Sequence, residues 1–172
     1  MPAGFEPLRI FITGFMGSGK THWAKIWAEK YKLVFYDLDE LIEANEEMKI
    51  TEIFNTKGEA YFRAAEAKAL RTFSFQKNFI LACGGGTPCF HENMEWMNSH
   101  GITIYLKTQP ATIANRLMNE VSNRPLIKDT DPKQLIGFAT QKIIEREIYY
   151  LRSVLILNED EINENSLSVL DV

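Results

Sequence analysis

The segment that most constrains this chain is GFMGSGKT at residues 14–21, which directly follows the apolar run at residues 8–13. It fits G-x-x-x-x-G-K-[ST] at every fixed position, and it lies between a predicted strand and a predicted helix, as a phosphate-binding loop (P-loop) requires. Glycines allow close approach and positive φ, and the helix N-terminus adds a favourable dipole for an anion. The backbone N–H groups expected to surround a β-phosphate are those of Gly17, Ser18, Gly19 and Lys20.

Two side chains of the P-loop have expected roles of their own. Lys20 would bridge the β- and γ-phosphates, and the Thr21 hydroxyl would bind Mg²⁺. The alternative is a glycine-rich turn that binds nothing. The motif does not distinguish ATP from GTP, nor a kinase from a hydrolysing switch.

Short apolar runs and helical patterns alternate along the whole chain, which predicts βαβ units and a parallel sheet. The predicted strands are at residues 8–13, 33–36, 79–82, 102–106 and 154–157. The predicted helices are at 20–31, from about 38, at 50–56, 59–75 and 91–99, from 110, and at 133–150. With 172 residues, the chain is expected to form one domain over residues 1–172.

Charge and composition exclude several classes of function. A net charge of −4 argues against a broad surface for nucleic acid or membranes, so an anionic ligand needs a local cluster of Lys and Arg. Apolar runs are too short to span a membrane. Cys83 and Cys89 make neither a disulfide framework nor a zinc site. We therefore expect a soluble, cytoplasmic protein.

Two carboxylates, Asp37 and Asp39, follow the second predicted strand directly. In open α/β sheets this end of the strand faces the ligand crevice. One carboxylate could orient Mg²⁺ through water while the other accepts a proton from a substrate hydroxyl. Either could also simply cap the helix that begins near Leu38.

Glu59, Arg63 and Glu66 are spaced three and four residues apart, so they share one helix face and can form ion pairs. Pairing would hold the Arg63 guanidinium in a fixed position. Taken alone, such a pattern is more often a solvated, salt-bridged surface.

The triple glycine at residues 84–86 follows the third strand. Three glycines carry a cost in chain entropy, so the backbone there must need space free of side chains. A ligand lying against main-chain N–H groups and a tight strand–helix turn are both consistent with it. Cys83, just before it, is interpreted as a small buried residue and not a nucleophile.

Residues 119–132 are polar, contain two prolines and predict a loop. Arg124 in this loop could close over a bound nucleotide and stabilise charge on a transferring phosphoryl group. Arg146, on the last long helix, could bind a carboxylate through two parallel hydrogen bonds. Taken alone, Arg146 is more often a surface residue, and a loop arginine without a partner, as Arg124 could be, is common.

These motifs, in this chain order, resemble the shikimate kinase family over about residues 9–155. The P-loop is generic, whereas F-x-x-x-G-E-x-x-F-R-x-x-E at 54–66 together with the triple glycine is specific to this family and its close relatives. The resemblance implies a three-layer α/β P-loop kinase fold with a five-stranded parallel sheet flanked by helices. It also implies a substrate-binding segment at about 38–66 and a lid at about 119–132.

The resemblance further implies ATP and shikimate as substrates, with Mg²⁺ as cofactor. Catalysis would fall to Lys20, Asp39 and Arg124. Nucleotide binding would involve Gly17, Ser18, Gly19, Lys20, Thr21, Arg116 and Arg124, with Arg116 near the adenine. The metal would be held by Thr21 and, through water, by Asp37. Shikimate would contact Asp39, Phe54, Arg63, Gly84, Gly85, Gly86 and Arg146, with both of these arginines on its carboxylate.

Some features depart from the family pattern. The segment Tyr150-Leu151-Arg152-Ser153 replaces the usual continuation after Arg146, and residues 158–165 match no adenine-binding pattern. His22 and Trp23 are unusual and are expected to face packing. The alternatives are a related metabolite kinase, such as a gluconate kinase, and a non-catalytic nucleotide-binding module. We expect a monomer.

Overall fold

The computed structural model describes residues 7–119 and 131–170. Five strands form one all-parallel sheet in the order β2-β3-β1-β4-β5. The strands are β1 (Arg9–Thr13), β2 (Val34–Asp37), β3 (Phe79–Ala82), β4 (Ile102–Lys107) and β5 (Leu155–Asn158). Each lies within one or two residues of its predicted position.

Helices cover both faces of the sheet, which gives the three-layer architecture. They are α1 (Lys20–Lys30), α2 (Leu38–Glu46), α3 (Ile50–Arg71), α4 (Asn93–His100), α5 (Pro110–Asn119) and α6 (Pro132–Tyr150). Phe11 on β1 belongs to a core shared with α2, α3 and α4, whereas its neighbour Ile12 packs with Trp27 of α1 on the opposite face. Because β1 is buried on both faces, its sequence is continuously apolar and does not alternate.

The central position of β1 places the functional segments at one edge of the sheet. Ile12 is in register with Ala82 of β3, and Ala82 is in register with Asp37 of β2. Because the strands are parallel, the chain leaves all three at the same edge. The P-loop, the start of α2 and the triple glycine therefore meet there, in the crevice where open α/β sheets bind ligands.

Helix α3 differs from the prediction of two separate helices. It runs from Ile50 to Arg71 with a kink at Gly58, whose φ of 81° and ψ of 170° are non-helical. Only glycine adopts that conformation readily, and a Cβ at this position would meet nothing within 4 Å. The requirement for glycine is therefore conformational and not steric. A short 3₁₀ turn at Thr72–Phe75 continues the chain beyond α3.

The predicted five-stranded parallel sheet flanked by helices is confirmed. The predicted lid at 119–132 lies, apart from its two ends, outside the described residues. None of the helices in the described parts of the chain is long and apolar enough to cross a membrane.

Candidate active site

The P-loop adopts the backbone conformation that its glycines predict. Gly14, Gly17 and Gly19 have φ values of 140°, 76° and 92°. A Cβ on Gly14 would also lie 2.9 Å from the carbonyl oxygen of Leu106, so β4 packs too closely for any side chain. Gly19 is the N-cap of α1 and has no side chain to cap it. The first N–H groups of α1 therefore remain available for an anion.

Lys20 folds back over the P-loop. Its Nζ donates hydrogen bonds of 2.9 Å to the carbonyl oxygens of Gly14 and Phe15. Burial lowers the pKa of Lys20 to about 8, although the negative charges of Asp39 and Asp37 partly oppose this shift. A phosphate bound in the loop would offer Lys20 a stronger acceptor than a carbonyl oxygen.

Thr21 and Asp37 are joined across the crevice by a hydrogen bond of 2.8 Å from Thr21 Oγ1 to Asp37 Oδ2. The other oxygen, Asp37 Oδ1, accepts from the backbone N–H of Asp39 at 3.0 Å and, more weakly, from Glu40 at 3.5 Å. Asp37 is therefore the residue that caps α2, which the sequence left open. Capping leaves Oδ2 directed towards Thr21.

This pair fits a magnesium ion. Mg²⁺ in nucleotide sites is held by one or two protein oxygens, and water and phosphates supply the rest. The described residues contain no cluster of three or more His, Cys, Asp or Glu side chains, so an all-protein metal cage is not formed by them. The Thr21 hydroxyl and the Asp37 carboxylate lie together in the wall of the P-loop cavity, within 2.8 Å of each other.

Asp39 is the second residue of α2, in its first turn, and it lies between two adjoining cavities. The P-loop cavity has a volume of about 360 Å³, and it is lined by Lys20, Thr21 and Asp37 among others. The arginine cavity has a volume of about 300 Å³, and it is lined by Arg63 and Arg146 among others. Four residues line both cavities: Met16, Asp39, Gly84 and Gly85.

The environment of Asp39 raises its pKa to about 6. Burial is the largest cause, followed by the negative charges of Asp37 and Glu66, while the charge of Lys20 acts in the opposite direction. A carboxylate with this pKa is mostly ionised at neutral pH but is a stronger base than an ordinary aspartate.

Arg63 is buried and fixed by two carboxylates. Its Nε and Nη2 donate to Glu59 Oε1 at 3.2 Å, and its Nη1 donates to Glu66 Oε2 at 3.0 Å. Arg63 is 8% exposed and Glu66 is 0% exposed. The guanidinium also lies 4.3 Å from the centroid of the Phe90 ring. The expected ion pairs are therefore formed, and they differ in burial. The pair with Glu66 is buried, whereas the side chain of Glu59 is 58% exposed.

The triple glycine is required because polar side chains occupy the space beside it. A Cβ on Gly86 would lie 2.6 Å from Nη2 of Arg63, and one on Gly84 would lie 2.9 Å from Oε1 of Glu66. The same Cβ position on Gly84 would lie 3.1 Å from Oδ1 of Asp39. Close packing of the site against bare backbone, more than a tight turn, explains these glycines.

Arg146 reaches the arginine cavity from α6. Its guanidinium carbon lies 5.6 Å from the centroid of the Phe15 ring, and its Nη1 lies 3.6 Å from the position of a Cβ on Gly85. Tyr150, one turn later, donates a hydrogen bond to the carbonyl oxygen of Gly85. Arg63 and Arg146, 83 positions apart in sequence, therefore line the same cavity, together with Phe54.

Arg116 lies on the outer side of the P-loop. Its Nη1 donates a 3.0 Å hydrogen bond to the carbonyl oxygen of Gly17. Arg124 lies outside the described residues, and its position relative to the cavities stays a prediction.

Sequence reasoning missed three contributors to the site. Thr87 is fully buried and donates a 2.6 Å hydrogen bond to Oε1 of Glu66. Met16 lines both cavities, because it precedes Gly17 in the loop and lies beside Gly85. His22 lines the P-loop cavity and is exposed, so the expectation that it faces packing is wrong. Of the three, only Thr87 had a signal, its position directly after the triple glycine.

A P-loop beside an arginine-lined cavity, at the crevice of a five-stranded parallel sheet, defines a small P-loop kinase. The model of the shikimate kinase family matches residues 16–170. The chain therefore belongs to the shikimate kinase family.

Individual relatives agree with this assignment. The shikimate kinase of Azobacteroides pseudotrichonymphae is 43% identical over 150 residues, which is 86% of this chain and 88% of the relative. The crystal structure of shikimate kinase from Bacteroides thetaiotaomicron superposes with a TM-score of 0.90 at 33% identity, covering 96% of this chain and 99% of that one. Shikimate kinase from Acinetobacter baumannii, solved in complex with shikimate, has a TM-score of 0.77 at 29% identity, covering 96% of this chain and 89% of that one.

Proposed function

We propose that this protein transfers the γ-phosphoryl group of ATP to the 3-hydroxyl of shikimate, giving shikimate 3-phosphate and ADP. The observation that carries the proposal is the position of Asp39 in the wall of both cavities. Lys20 lies on one side of Asp39, and Arg63 and Arg146 lie on the other. A phosphate donor and a carboxylated acceptor would meet there.

The nucleotide side uses main-chain groups and one lysine. The N–H groups of Gly17, Ser18, Gly19 and Lys20 bind the β-phosphate, because α1 begins at Lys20 without a capping side chain. The ammonium group of Lys20 leaves the carbonyl oxygens of Gly14 and Phe15 and binds the β- and γ-phosphates. Arg116 lies close to the adenine.

Magnesium is the cofactor that the site fits. Thr21 Oγ1 would hold it directly and Asp37 would hold it through water, as their 2.8 Å hydrogen bond across the crevice suggests. When bound, the ion neutralises charge on the transferring phosphate.

The arginine cavity binds the acid. Arg63 and Arg146 bind the shikimate carboxylate, since guanidinium groups form parallel hydrogen bonds with a carboxylate. Phe54 packs beside the ring, and the backbone of residues 84–86 lines the floor. The proposal agrees with the Acinetobacter baumannii relative, whose crystal structure contains shikimate. A neutral sugar would give the two arginines no partner. Gluconate does carry a carboxylate, but it is an open chain and not a ring beside Phe54, and the assay below compares the two acids directly.

Asp39 accepts the proton of the attacking hydroxyl. The bond between the hydroxyl oxygen and the γ-phosphorus forms as the bond to the ADP oxygen breaks, and the proton passes to Asp39. The raised pKa of about 6 suits a base that acts at neutral pH. Little covalent chemistry is needed, so positioning and charge stabilisation dominate.

The segment 119–132 closes over the nucleotide as a lid in this proposal, and residues 38–66 form the substrate-binding segment. Arg124 adds positive charge beside the transferring phosphoryl group and helps to exclude water. We further propose that the chain acts as a cytoplasmic monomer. Two free cysteines are consistent with a reducing compartment.

The test is a coupled ADP-release assay with Mg·ATP and, in turn, shikimate, gluconate and no acceptor. We expect turnover with shikimate at least about 100-fold above both other conditions. Lys20→Met is the negative control, and it should remain folded by circular dichroism while losing activity by orders of magnitude. Faster turnover with gluconate, or equal ADP release without an acceptor, would contradict the proposal.

A further inference from the structure

Trp23 stands beside the P-loop, although its sequence position suggested packing alone. A Cβ on Gly19 would lie 3.4 Å from Cδ1 and 3.7 Å from Nε1 of Trp23. The same position would lie 3.7 Å from Nη1 of Arg116. The pyrrole edge of the indole and the guanidinium of Arg116 therefore approach the P-loop backbone at one point.

The two tryptophans of α1 have different environments. Trp27 is 0% exposed, and its Nε1 donates a 3.0 Å hydrogen bond to the carbonyl oxygen of Asn163. Trp23 stacks on Trp27 with ring centroids 5.7 Å apart and an interplanar angle of 27°. Trp23 is only partly buried, and the hydrogen bonds found among residues 7–119 and 131–170 include none from its Nε1. Trp27 is therefore a core residue, whereas the indole N–H and the pyrrole edge of Trp23 can contact a ligand.

The direction of the nucleotide follows from the two cavities. The transferring phosphate must face Asp39, which lies in the wall shared with the arginine cavity. Neither Trp23 nor Arg116 lines the P-loop cavity, but Arg116 donates to the carbonyl oxygen of Gly17, and Trp23 lies 3.4 Å from the position of a Cβ on Gly19. The nucleoside end of the nucleotide, being farthest from Asp39, therefore leaves the phosphate cavity on the side of Trp23 and Arg116.

We propose that Trp23 is a nucleoside-binding residue, with the indole and the Arg116 guanidinium forming two sides of the subsite for the base and ribose. The inference rests on the proposed function, because it requires a nucleotide on the P-loop. A flat aromatic ring packs on a heteroaromatic base, and the indole N–H can donate to a ribose or base acceptor. The residue contributes affinity and takes no part in the chemistry.

Binding of two ligands separates the nucleoside from the phosphates. ADP and inorganic tripolyphosphate, each with Mg²⁺, are titrated by calorimetry into the wild type and Trp23→Leu, which retains an apolar side chain against Trp27. We expect the variant to weaken ADP binding at least about fivefold, since aromatic stacking on a base contributes about 1–3 kcal/mol. Tripolyphosphate affinity should stay within about twofold.

Three other results of the ADP and tripolyphosphate titrations are possible. Equal weakening of both ligands would show that Trp23 only supports the P-loop, and unchanged ADP affinity would show that it makes no contact; either result overturns the inference. If the wild type binds neither ligand, the proposed function itself fails.

Intrinsic fluorescence gives an independent readout, because the chain has three tryptophans. Trp96 on α4 stacks on His100 with centroids 4.1 Å apart, so Trp96→Phe is a matched control distant in sequence from the P-loop. We expect ADP to change the emission of the wild type and of Trp96→Phe, and to leave that of Trp23→Phe unchanged. A full ADP response in Trp23→Phe would contradict the inference.

Discussion

The carboxylate of Glu66 is completely buried and lies 3.0 Å from Nη1 of Arg63. Its second oxygen accepts a hydrogen bond of 2.6 Å from Thr87. Both oxygens are therefore partnered, and the guanidinium is held on the wall of the arginine cavity. In the proposed function, we therefore expect the affinity for the acid to depend on Glu66 even if Glu66 does not touch the acid.

Glu66→Gln should separate stability from acceptor binding. Removing one partner of a buried ion pair typically costs about 3–5 kcal/mol, and the amide that remains should reduce this to about 2 kcal/mol. We expect the KM for shikimate to rise at least tenfold with kcat changed less, because Arg63 loses its fixed position. Urea unfolding and steady-state kinetics measure the two effects.

Glu145→Gln is the matched control, since Glu145 forms an exposed pair with Lys142 at the same i,i+3 spacing. It should change the free energy of unfolding by less than about 0.5 kcal/mol. A wild-type KM in Glu66→Gln would contradict the positioning role.

Gly86→Ala should displace Arg63 directly. The new Cβ would lie 2.6 Å from Nη2 and 2.7 Å from Nη1, so the guanidinium must move. We expect at least a tenfold loss in kcat/KM for shikimate with little change in the KM for ATP. Gly137→Ala on α6 is the control, because nothing lies within 4 Å of its Cβ position. Replacing glycine by alanine within a helix stabilises the folded protein by about 0.5–1 kcal/mol. Activity should be unaffected, because the new methyl group displaces no neighbour. Equal effects of the two substitutions would refute the steric explanation.

Asp39→Asn should stabilise the protein while removing its base. The folded pKa of about 6 is above the ordinary value of 3.8, so ionisation of Asp39 disfavours folding. Between pH 3.8 and about 6 the folded protein binds more protons at Asp39 than the unfolded chain does. The free energy of unfolding of the wild type therefore falls as the pH rises through this range. We expect the free energy of unfolding of Asp39→Asn to exceed that of the wild type by about 3 kcal/mol at most at pH 7.5 and by about 1 kcal/mol at pH 4.5. Urea unfolding at both pH values tests this; a gain that does not shrink at the lower pH would contradict it.

The pH dependence of kcat/KM should show the same carboxylate. Asp39 must be ionised to accept a proton, so we expect an acid limb centred near its pKa of about 6. Because the charge of Glu66 contributes to raising this pKa, Glu66→Gln should move the limb to lower pH. A wild-type limb near the ordinary aspartate value, or one that Glu66→Gln leaves in place, would exclude Asp39 as the group responsible.

The features that the sequence predicts well are local. The five strands and the P-loop conformation follow from short apolar runs and from glycines that must take positive φ. The Arg63 pairs follow from helical spacing. Each depends on neighbours within a few residues along the chain.

The features that the sequence left open depend on distant contacts. Burial of the Arg63–Glu66 pair requires Thr87 and Phe90, which come from a segment that packs on α3 only in the folded protein. From the sequence, either Asp37 or Asp39 could cap α2. Only the geometry at the start of α2 shows that Asp37 is the cap. The position of His22 in the wall of the P-loop cavity likewise depends on how the segments after β1, β2 and β3 come together, which no periodicity encodes.

In the proposed reaction the phosphoryl group passes from the P-loop cavity to an acid in the arginine cavity, and ³¹P nuclear magnetic resonance follows that group directly. With Mg·ATP and shikimate, we expect loss of the γ-phosphate signal and growth of one phosphomonoester signal equimolar with ADP. Arg63→Ala should slow this growth at subsaturating shikimate. Release of inorganic phosphate with no phosphomonoester would identify a hydrolase and contradict phosphoryl transfer to shikimate.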